Sequence, residues 1–203
     1  MNGSVDKPFS ASCECNREPI LDILRDALAD RRRVFEIGSG TGQHAVFFAA
    51  ALPWLEWQTS ERGEYLEGVQ SWLDDAALAN TPPPIVFDVG QDDWPKTRYD
   101  AIFTANTLHI MAWPDVERLF ARLPEIMSDD CVVAVYGPFN INGQYTSESN
   151  AAFDCALHER GAHMGIRDLA AVDSLAAAAG LTRSALQPMP ANNLCVIWKR
   201  HGA

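Results

Sequence analysis

The chain has 203 residues, enough for one domain with a single substantial core. Hydrophobic residues make up 47% and charged residues 21%, as in ordinary soluble globular proteins. The formal net charge of −11 argues against non-specific binding to nucleic acid or to an anionic membrane surface, because both interactions require a basic protein surface.

No apolar stretch approaches the ~20 residues needed to span a bilayer, and residues 1–18 contain no apolar signal-peptide core. We therefore expect a cytoplasmic protein. An odd number of scattered cysteines favours reduced thiols over a disulfide framework. No Cys/His cluster completes a zinc pattern, so we predict no metal site. The cysteines are Cys13, Cys15, Cys131, Cys155 and Cys195.

Helices and strands are predicted to alternate along the first half of the chain. Ile20, Leu24 and Leu28 lie four residues apart and predict a helix with one apolar face. The predicted helices cover residues 19–29, 43–52 and about 64–79, the last ended by three prolines. The predicted strands are residues 34–38, 55–61 and 85–89.

The second half continues the alternation and then changes. The predicted strands are residues 99–106 and 131–137, and the predicted helices are residues 113–127, 150–160 and 168–179. Two last strands, 181–188 and 193–200, are separated by only four residues. So short a connection predicts an antiparallel hairpin.

These elements predict an α/β fold. Strands that alternate with helices at this spacing form a mainly parallel sheet with helices on both faces. We predict a single domain with a seven-stranded sheet over residues 31–203, preceded by an N-terminal cap segment and helix over residues 1–30. With its closing hairpin, the pattern resembles the Rossmann-like fold of class I S-adenosylmethionine-dependent methyltransferases.

A glycine repeat follows the first predicted strand: Gly38, Gly40 and Gly42, preceded by Glu36. In a doubly wound sheet, ligands bind beyond the carboxyl ends of the strands, and glycine there lets a ligand contact the main chain. The spacing differs from the G-x-G-x-x-G of dinucleotide-binding proteins. It resembles methyltransferase motif I, and we predict S-adenosylmethionine as the cofactor. A plain tight turn would also use these glycines.

Further cofactor-binding candidates lie near the ends of neighbouring strands. Glu61 ends the second strand, where a carboxylate can accept hydrogen bonds from both ribose hydroxyls. The fold resemblance implies that Asp88 and the Val89 main chain hold the adenine, and Glu36 is predicted to orient loop amides or the cofactor ammonium. An exposed strand-end acid is the alternative for Glu61, and helix capping is the alternative for His44. The predicted set is completed by Ser39, Thr41, His44 and Asn106.

Several runs carry a closer family resemblance: EIGSGTGQHAVFFA, TANTLHIMAW, YGPFNINGQYTSESNAAFD, GIRD and MPANN. They resemble the domain-of-unknown-function 938 family, which includes methyltransferase-like protein 26. The resemblance spans most of the chain and implies an S-adenosylmethionine-dependent methyltransferase with an unidentified acceptor. Glu61 replaces the aspartate more usual at that position, a change that keeps the carboxylate.

The candidate catalytic residues are Asn106, His109 and Tyr136. Methyl transfer is an in-line displacement, accelerated by holding the acceptor at roughly 3 Å, and it needs a base only if the nucleophile must lose a proton. His109 is the best candidate base because its ordinary pKa lies near neutral pH; a structural histidine is the alternative. Tyr136 closes the fifth strand and either contacts an acceptor or packs in the core.

The candidate acceptor-binding residues are Cys13, Asn16, Arg167 and Asn192. Cys13 and Asn16 would line the pocket if the N-terminal segment folds over the site. Arg167 would hold an acceptor carboxylate with two hydrogen bonds, or pair locally with Asp168. Asn192 lies in the closing hairpin, where turn formation alone favours asparagine.

The sequence thus predicts a methyltransferase acting on a small molecule, because the chain is little more than the core fold with a short N-terminal cap. A protein methyltransferase and a non-catalytic S-adenosylmethionine-binding partner or sensor remain alternatives. A nicotinamide oxidoreductase is disfavoured by the glycine spacing.

Overall fold

The computed structural model describes residues 7–91 and 93–200. The helices are α1 (Ala11–Ala27), α2 (Gln43–Ala51), α3 (Leu66–Ala76), α4 (Trp113–Ile126), α5 (Glu148–Arg160) and α6 (Leu169–Ala178). The strands are β1 (Arg33–Ile37), β2 (Glu56–Glu61), β3 (Ile85–Val86), β4 (Tyr99–Ala105), β5 (Met127–Gly137), β6 (Phe139–Asn140), β7 (Arg167–Asp168), β8 (Leu181–Met189) and β9 (Asn193–Arg200). No helix among the described residues is long and apolar enough to cross a bilayer.

The main sheet has seven strands in the order β3-β2-β1-β4-β5-β9-β8. Neighbouring strands from β3 to β5 are parallel, whereas β9 runs antiparallel to both β5 and β8. This confirms the predicted mainly parallel sheet with a C-terminal hairpin. The strand order reverses between β1 and β4, which opens a crevice beyond the carboxyl ends of these two strands.

Both faces of the sheet are covered by helices. Val34 of β1 belongs to one buried cluster with Leu24 of α1 and Phe48 of α2. Its neighbour Phe35 belongs to the other, with Phe120 of α4. Successive side chains of a strand point to opposite faces, so an uninterrupted apolar strand is stable only between two such layers. The crevice is thereby held on a rigid scaffold.

The structure differs from the predicted elements at a few positions. The first helix begins at Ala11 rather than residue 19, because Ser10 caps it by accepting a hydrogen bond from the Cys13 amide at 3.4 Å, and Pro19 lies inside the helix. The third strand is only Ile85–Val86 rather than residues 85–89. The second sheet, in which β6 pairs with β7, was not predicted because two-residue strands carry no periodic pattern.

Candidate active site

The loop after β1 requires glycine for different reasons at different positions. Gly38, Gly40 and Gly42 have φ of +69°, +60° and +90°, values that L side chains rarely adopt. A Cβ at Gly38 would lie 2.9 Å from Thr107 Oγ1, and one at Gly42 would lie 3.2 Å from Val69 Cα. At Gly40 a Cβ would meet no atom within 4 Å. The main chain at Gly40 is therefore open to the cavity that it lines.

Glu36 is buried at the base of this loop, with 2% of its surface exposed. Its Oε2 accepts hydrogen bonds from Ser39 Oγ at 2.8 Å and from Trp57 Nε1 at 3.1 Å. Burial raises the pKa of Glu36 to about 7, the two hydrogen bonds oppose this rise, and the charge of Glu61 adds to it. A cation beside Glu36 would favour its ionised form.

Glu61 closes the site from the end of β2. Its Oε2 accepts a hydrogen bond from the Gly40 amide at 2.7 Å, and its Oε1 accepts one from the Arg62 amide at 2.9 Å. The Ser39 amide also donates to the Ser60 carbonyl at 2.9 Å, so the loop is braced against β2. The structure therefore places the Glu61 carboxylate directly beside the glycine loop.

Asp88 and Val89 follow β3 at the same edge of the sheet. Asp88 Oδ1 accepts a hydrogen bond from the Gly90 amide at 2.8 Å, which fixes the turn. Val89 is buried, and both residues line the cavity. The end of β3 thus presents a carboxylate next to an apolar side chain.

The ends of β4 and β5 are joined at Asn106 and Tyr136. Asn106 has φ of +57°, and its amide donates to the Tyr136 carbonyl at 2.8 Å. Burial raises the pKa of the Tyr136 phenol, while hydrogen bonds with the side chains of Asn16 and Asn193 oppose this effect. At neutral pH the phenol is protonated and able to donate a hydrogen bond.

His109 lies just beyond β4 and is 6% exposed. Its ring packs against Phe153 of α5 at a centroid distance of 5.3 Å and an interplanar angle of 78°. Burial lowers the pKa of His109 to about 4, and the charges of Arg167 and Arg160 contribute in the same direction. The imidazole is therefore neutral at physiological pH, with one ring nitrogen free of a proton.

Helix α1 supplies a further part of the cavity wall. Asn16 Oδ1 lies 2.6 Å from His44 Nε2. Burial, with a smaller contribution from Arg17, lowers the pKa of His44 to about 4, so the neutral ring donates to Asn16 from Nε2. Cys13 lies on the same wall, and burial raises the pKa of its thiol, which remains protonated. We therefore assign Cys13 a structural rather than a nucleophilic role.

Sequence reasoning missed Gln43, the first residue of α2. Its Oε1 accepts hydrogen bonds from the Ser10 amide at 2.5 Å and from Thr41 Oγ1 at 3.0 Å, and its Nε2 donates to Glu14 Oε1 at 3.1 Å. This buried amide joins α1 to the glycine loop. The only signal in the sequence was the position of Gln43 directly after Gly42, and that position predicts no more than a turn or the start of a helix.

Most of the predicted site residues line one cavity of about 1760 Å³. They are Cys13, Asn16, Glu36, Gly38, Ser39, Gly40, Thr41, His44, Glu61, Asp88, Val89, Asn106, His109 and Tyr136. Within residues 7–91 and 93–200, the cavity wall does not include Gly42, Arg167 or Asn192. The same described part of the chain contains no group of three or more His, Cys, Asp or Glu side chains arranged to hold a metal ion.

Arg167 and Asn192 act as braces in this structure. Arg167 donates from Nε to the Leu108 carbonyl at 3.0 Å and from Nη2 to the carbonyls of Met111 and His163. Asn192 donates to Ser149 Oγ at 3.1 Å. Both stabilise segments that border the cavity, and the expectation that they touch an acceptor remains a prediction.

The sheet order and the glycine loop at the end of β1 define the class I methyltransferase fold. The chain is similar to the solved structure of the S-adenosylmethionine-dependent methyltransferase SibL, with a TM-score of 0.79 and 22% identity over 94% of this chain and 56% of that one. It is also similar to an O-methyltransferase family 2 protein from Planctomyces limnophilus in complex with apigenin, with a TM-score of 0.80 and 16% identity over 91% of this chain and 56% of that one.

A third solved structure, the mitomycin 7-O-methyltransferase MmcR, matches with a TM-score of 0.74 and 21% identity over 85% of this chain and 50% of that one. At these identities the likeness shows the fold alone. The chain spans about half the length of these proteins. A family model matches residues 7–200, and the chain belongs to that family, described as protein of unknown function (DUF938). This confirms the predicted family.

Proposed function

We propose that this protein is an S-adenosylmethionine-dependent methyltransferase that acts on a small-molecule acceptor. One observation carries the proposal: the open main chain of Gly40 and the Glu61 carboxylate line the same cavity as Asn106, His109 and Tyr136. A cofactor-binding loop and a set of groups able to orient a nucleophile therefore share one space.

The side chains around the loop fit a cationic cofactor. Glu36, Glu61 and Asp88 all line the cavity, and an acidic wall favours a ligand that carries sulfonium and ammonium charges. Within the described residues, both hydrogen bonds to the Glu36 carboxylate reach Oε2, so Oε1 remains available as an acceptor. When bound, S-adenosylmethionine supplies a methyl group activated by its positively charged sulfur.

Each of these residues has a separate task in holding the cofactor. The loop of residues 38–42 would contact the amino-acid part through its main chain, as the open face of Gly40 allows. Glu61 would hold the ribose hydroxyls. Asp88 and the Val89 main chain would hold the adenine. His44 would support the loop from its buried position against Asn16.

The acceptor side is suited to positioning a protonated nucleophile. His109 is neutral at physiological pH, so its free ring nitrogen can accept a hydrogen bond from a hydroxyl or an amine. A base whose pKa is near 4 is too weak to deprotonate the nucleophile before methyl transfer begins. His109 would therefore orient the nucleophile and accept its proton, while Asn106 and Tyr136 would hold the acceptor in line with the methyl group that the cofactor supplies.

The size of the cavity supports a small second substrate. Pockets for small ligands typically have volumes of about 300–1,000 Å³. The cavity here, about 1760 Å³, has room for a nucleoside cofactor and a further small molecule. This observation favours a small-molecule acceptor over a role limited to cofactor binding.

The cysteines support a cytoplasmic location. All five are free, and burial raises the pKa of the Cys131 and Cys195 thiols. Protonated, unpaired thiols are ordinary in a reducing compartment.

Calorimetry with S-adenosylhomocysteine and, separately, with NAD tests the cofactor. We expect saturable binding of S-adenosylhomocysteine alone; binding of NAD alone would refute the proposal. Incubation with S-adenosylmethionine and fractionated small-molecule extracts tests catalysis. Formation of S-adenosylhomocysteine that depends on one fraction supports the enzyme, and its absence in every extract favours the non-catalytic binding protein.

A further inference from the structure

The charged residues in the cavity wall are separated by sign. The acidic residues lie around the glycine loop and the ends of β2 and β3, and they are Glu36, Glu61, Glu64, Glu67, Asp88 and Asp115. Arg62 at this end is neutralised by an ion pair with Glu64 at 2.9 Å. The part of the cavity assigned to the cofactor therefore has an excess of negative charge.

Another part of the cavity wall carries the positive charge of Arg160. Arg160, the last residue of α5, and His163 line the wall there. The segment between them and β7 is held against the β4 side of the site, since the Gly165 amide donates to the His109 carbonyl at 2.9 Å and Arg167 donates to the His163 carbonyl at 3.0 Å. The main chain that carries His163 is thus held close to His109.

Neither basic residue is neutralised. Within residues 7–91 and 93–200, Arg160 forms no ion pair or side-chain hydrogen bond. Asp154, six residues earlier in α5, is instead bonded to Tyr145 Oη at 2.8 Å and to the Ile166 amide at 2.6 Å. No Asp or Glu from beyond residue 115 contributes to the described cavity wall.

Apolar side chains also line the cavity close to His109. Ile110 and Phe153 line the cavity and are 41% and 38% exposed, although both are large apolar side chains. Phe153 also packs edge-on against His109. Met111 and Met164 lie in the same wall. Apolar side chains left uncovered inside a cavity are suited to an apolar ligand with a few polar groups that fix its orientation.

We infer that the methyl acceptor is a small molecule with an apolar, ring-sized body and an anionic group such as a carboxylate. The inference rests on the proposed function. The body packs on Ile110 and Phe153 beside His109, and the anionic group is held by Arg160 and His163. The positive charge of the cofactor and the negative charge of the acceptor thereby bind to different residues of one cavity wall.

A second explanation for a basic residue at position 160 must be distinguished from binding of an anionic acceptor. Arginine at the end of a helix interacts favourably with the helix dipole whether or not a ligand is present. Arg25 provides a matched control, because it is also an exposed arginine in the last turn of a helix, α1, and does not line the cavity.

The test compares cinnamate with cinnamamide, which have the same ring and nearly the same shape but differ in charge. Binding of each is measured by ligand-observed NMR and calorimetry to the protein saturated with S-adenosylhomocysteine. We expect cinnamate to bind about tenfold more tightly than cinnamamide, as for a charge-assisted contact at a partly exposed site. The preference should be lost in Arg160→Gln, kept in Arg25→Gln, and weakened in the unmodified protein by added salt.

Equal binding of the two probes, absence of cinnamate binding, or an unchanged preference in Arg160→Gln would each overturn the inference. Circular dichroism of Arg160→Gln and Arg25→Gln checks that both are folded, and the salt series on the unmodified protein requires no variant at all. Failure to bind S-adenosylhomocysteine is a different result: it removes the proposed function itself, and the inference with it.

Discussion

The carboxylate of Glu61, at the end of β2, accepts a hydrogen bond of 2.7 Å from the amide of Gly40, in the loop after β1. The two residues are 21 positions apart in the sequence. This contact fixes the open face of the glycine loop relative to the neighbouring strand. It also leaves the carboxylate in the cavity wall, where its free lone pairs can accept further hydrogen bonds.

Replacing Glu61 by alanine should therefore weaken binding of S-adenosylhomocysteine by at least tenfold, about 1.4 kcal/mol. The variant loses both the proposed ribose contact and the bond that orients the Gly40 amide. Calorimetry measures the effect. Glu56→Ala is the control, because Glu56 lies at the other end of the same strand in an exposed ion pair with Arg33. Equal affinities for the two variants would show that Glu61 does not contact the cofactor.

Gly38→Ala should destabilise the protein and distort the cofactor site. Its φ of +69° is unfavourable for alanine, at a cost of about 1–2 kcal/mol, and the new Cβ would lie 2.9 Å from Thr107 Oγ1. Thermal unfolding and S-adenosylhomocysteine affinity measure the two effects. Adding Thr107→Ala should recover part of the stability, because it removes the nearest clashing atoms.

Gly180→Ala is the matched control for this variant. Gly180 also has a positive φ, +78°, but a Cβ there would meet no atom within 4 Å. It should lose a similar amount of stability from backbone strain while keeping its affinity for S-adenosylhomocysteine. If Gly38→Ala and Gly180→Ala behave alike in both measurements, close packing against Thr107 has no functional consequence.

Glu36→Gln should alter how the free energy of unfolding depends on pH. The pKa of Glu36 is about 7 in the folded protein and near 4.5 when solvated, so the folded state binds more protons than the unfolded state between these values. The contribution of Glu36 to stability is complete below about pH 4.5 and declines as pH rises to about 7. Glutamine can still accept from Ser39 and Trp57.

We therefore expect Glu36→Gln and the unmodified protein to be similar in stability near pH 4.5, and the variant to be more stable by about 3 kcal/mol near pH 8. Urea unfolding over this range measures the difference. A constant difference at every pH would mean that Glu36 does not titrate as its burial requires.

His109 should produce the opposite trend. Its pKa is lowered from 6.5 to about 4 by burial, so the unfolded state binds the extra proton between these values. The contribution of the neutral, buried ring is present above about pH 6.5 and is lost as pH falls toward 4. NMR titration of the imidazole, assigned by comparison with His109→Gln, should show a midpoint near 4. A midpoint near 6.5 would contradict the proposed neutral, weakly basic role.

The sequence was informative where a feature depends on local spacing. The glycine repeat and the strand alternation predicted the sheet, and residues at strand ends such as Glu61 and Asp88 follow from that sheet because parallel strands end at one edge. That these residues lie near one another could therefore be predicted without knowing any contact between distant segments. Their roles toward a cofactor remain predictions.

The remaining features depend on contacts between distant segments. Arg167 donates to the carbonyls of residues 108, 111 and 163. Because every residue has a main-chain carbonyl, the residue types at these positions do not indicate which carbonyls accept a hydrogen bond from Arg167. Gln43 bonds to α1, whose polar first turns carry no apolar periodicity, so the helix itself was predicted to begin too late. Arg160 is far along the chain from the glycine loop, so only the three-dimensional structure shows that both line one cavity.

Replacing Gly68 of α3 by alanine would have two opposing effects on stability, because Gly68 lies against Pro8. Alanine is favoured over glycine inside a helix by about 1 kcal/mol, so Gly68→Ala would ordinarily stabilise α3. Here a Cβ at Gly68 would lie 2.6 Å from Pro8 Cγ. The Pro8 carbonyl also accepts a hydrogen bond from Trp72 Nε1 at 2.8 Å, so the segment cannot shift without losing that bond.

We expect Gly68→Ala to lower the thermal midpoint, to speed hydrogen exchange of the Ser10 amide and to weaken S-adenosylhomocysteine binding, because Pro8 and Ser10 line the cavity and the Ser10 amide bonds to Gln43. Combining it with Pro8→Ala removes the clashing ring carbon and should restore binding while retaining the gain in helix propensity. If the single variant is instead more stable and binds normally, the N-terminal segment adjusts freely, and its contact with α3 does not hold the cavity wall in place.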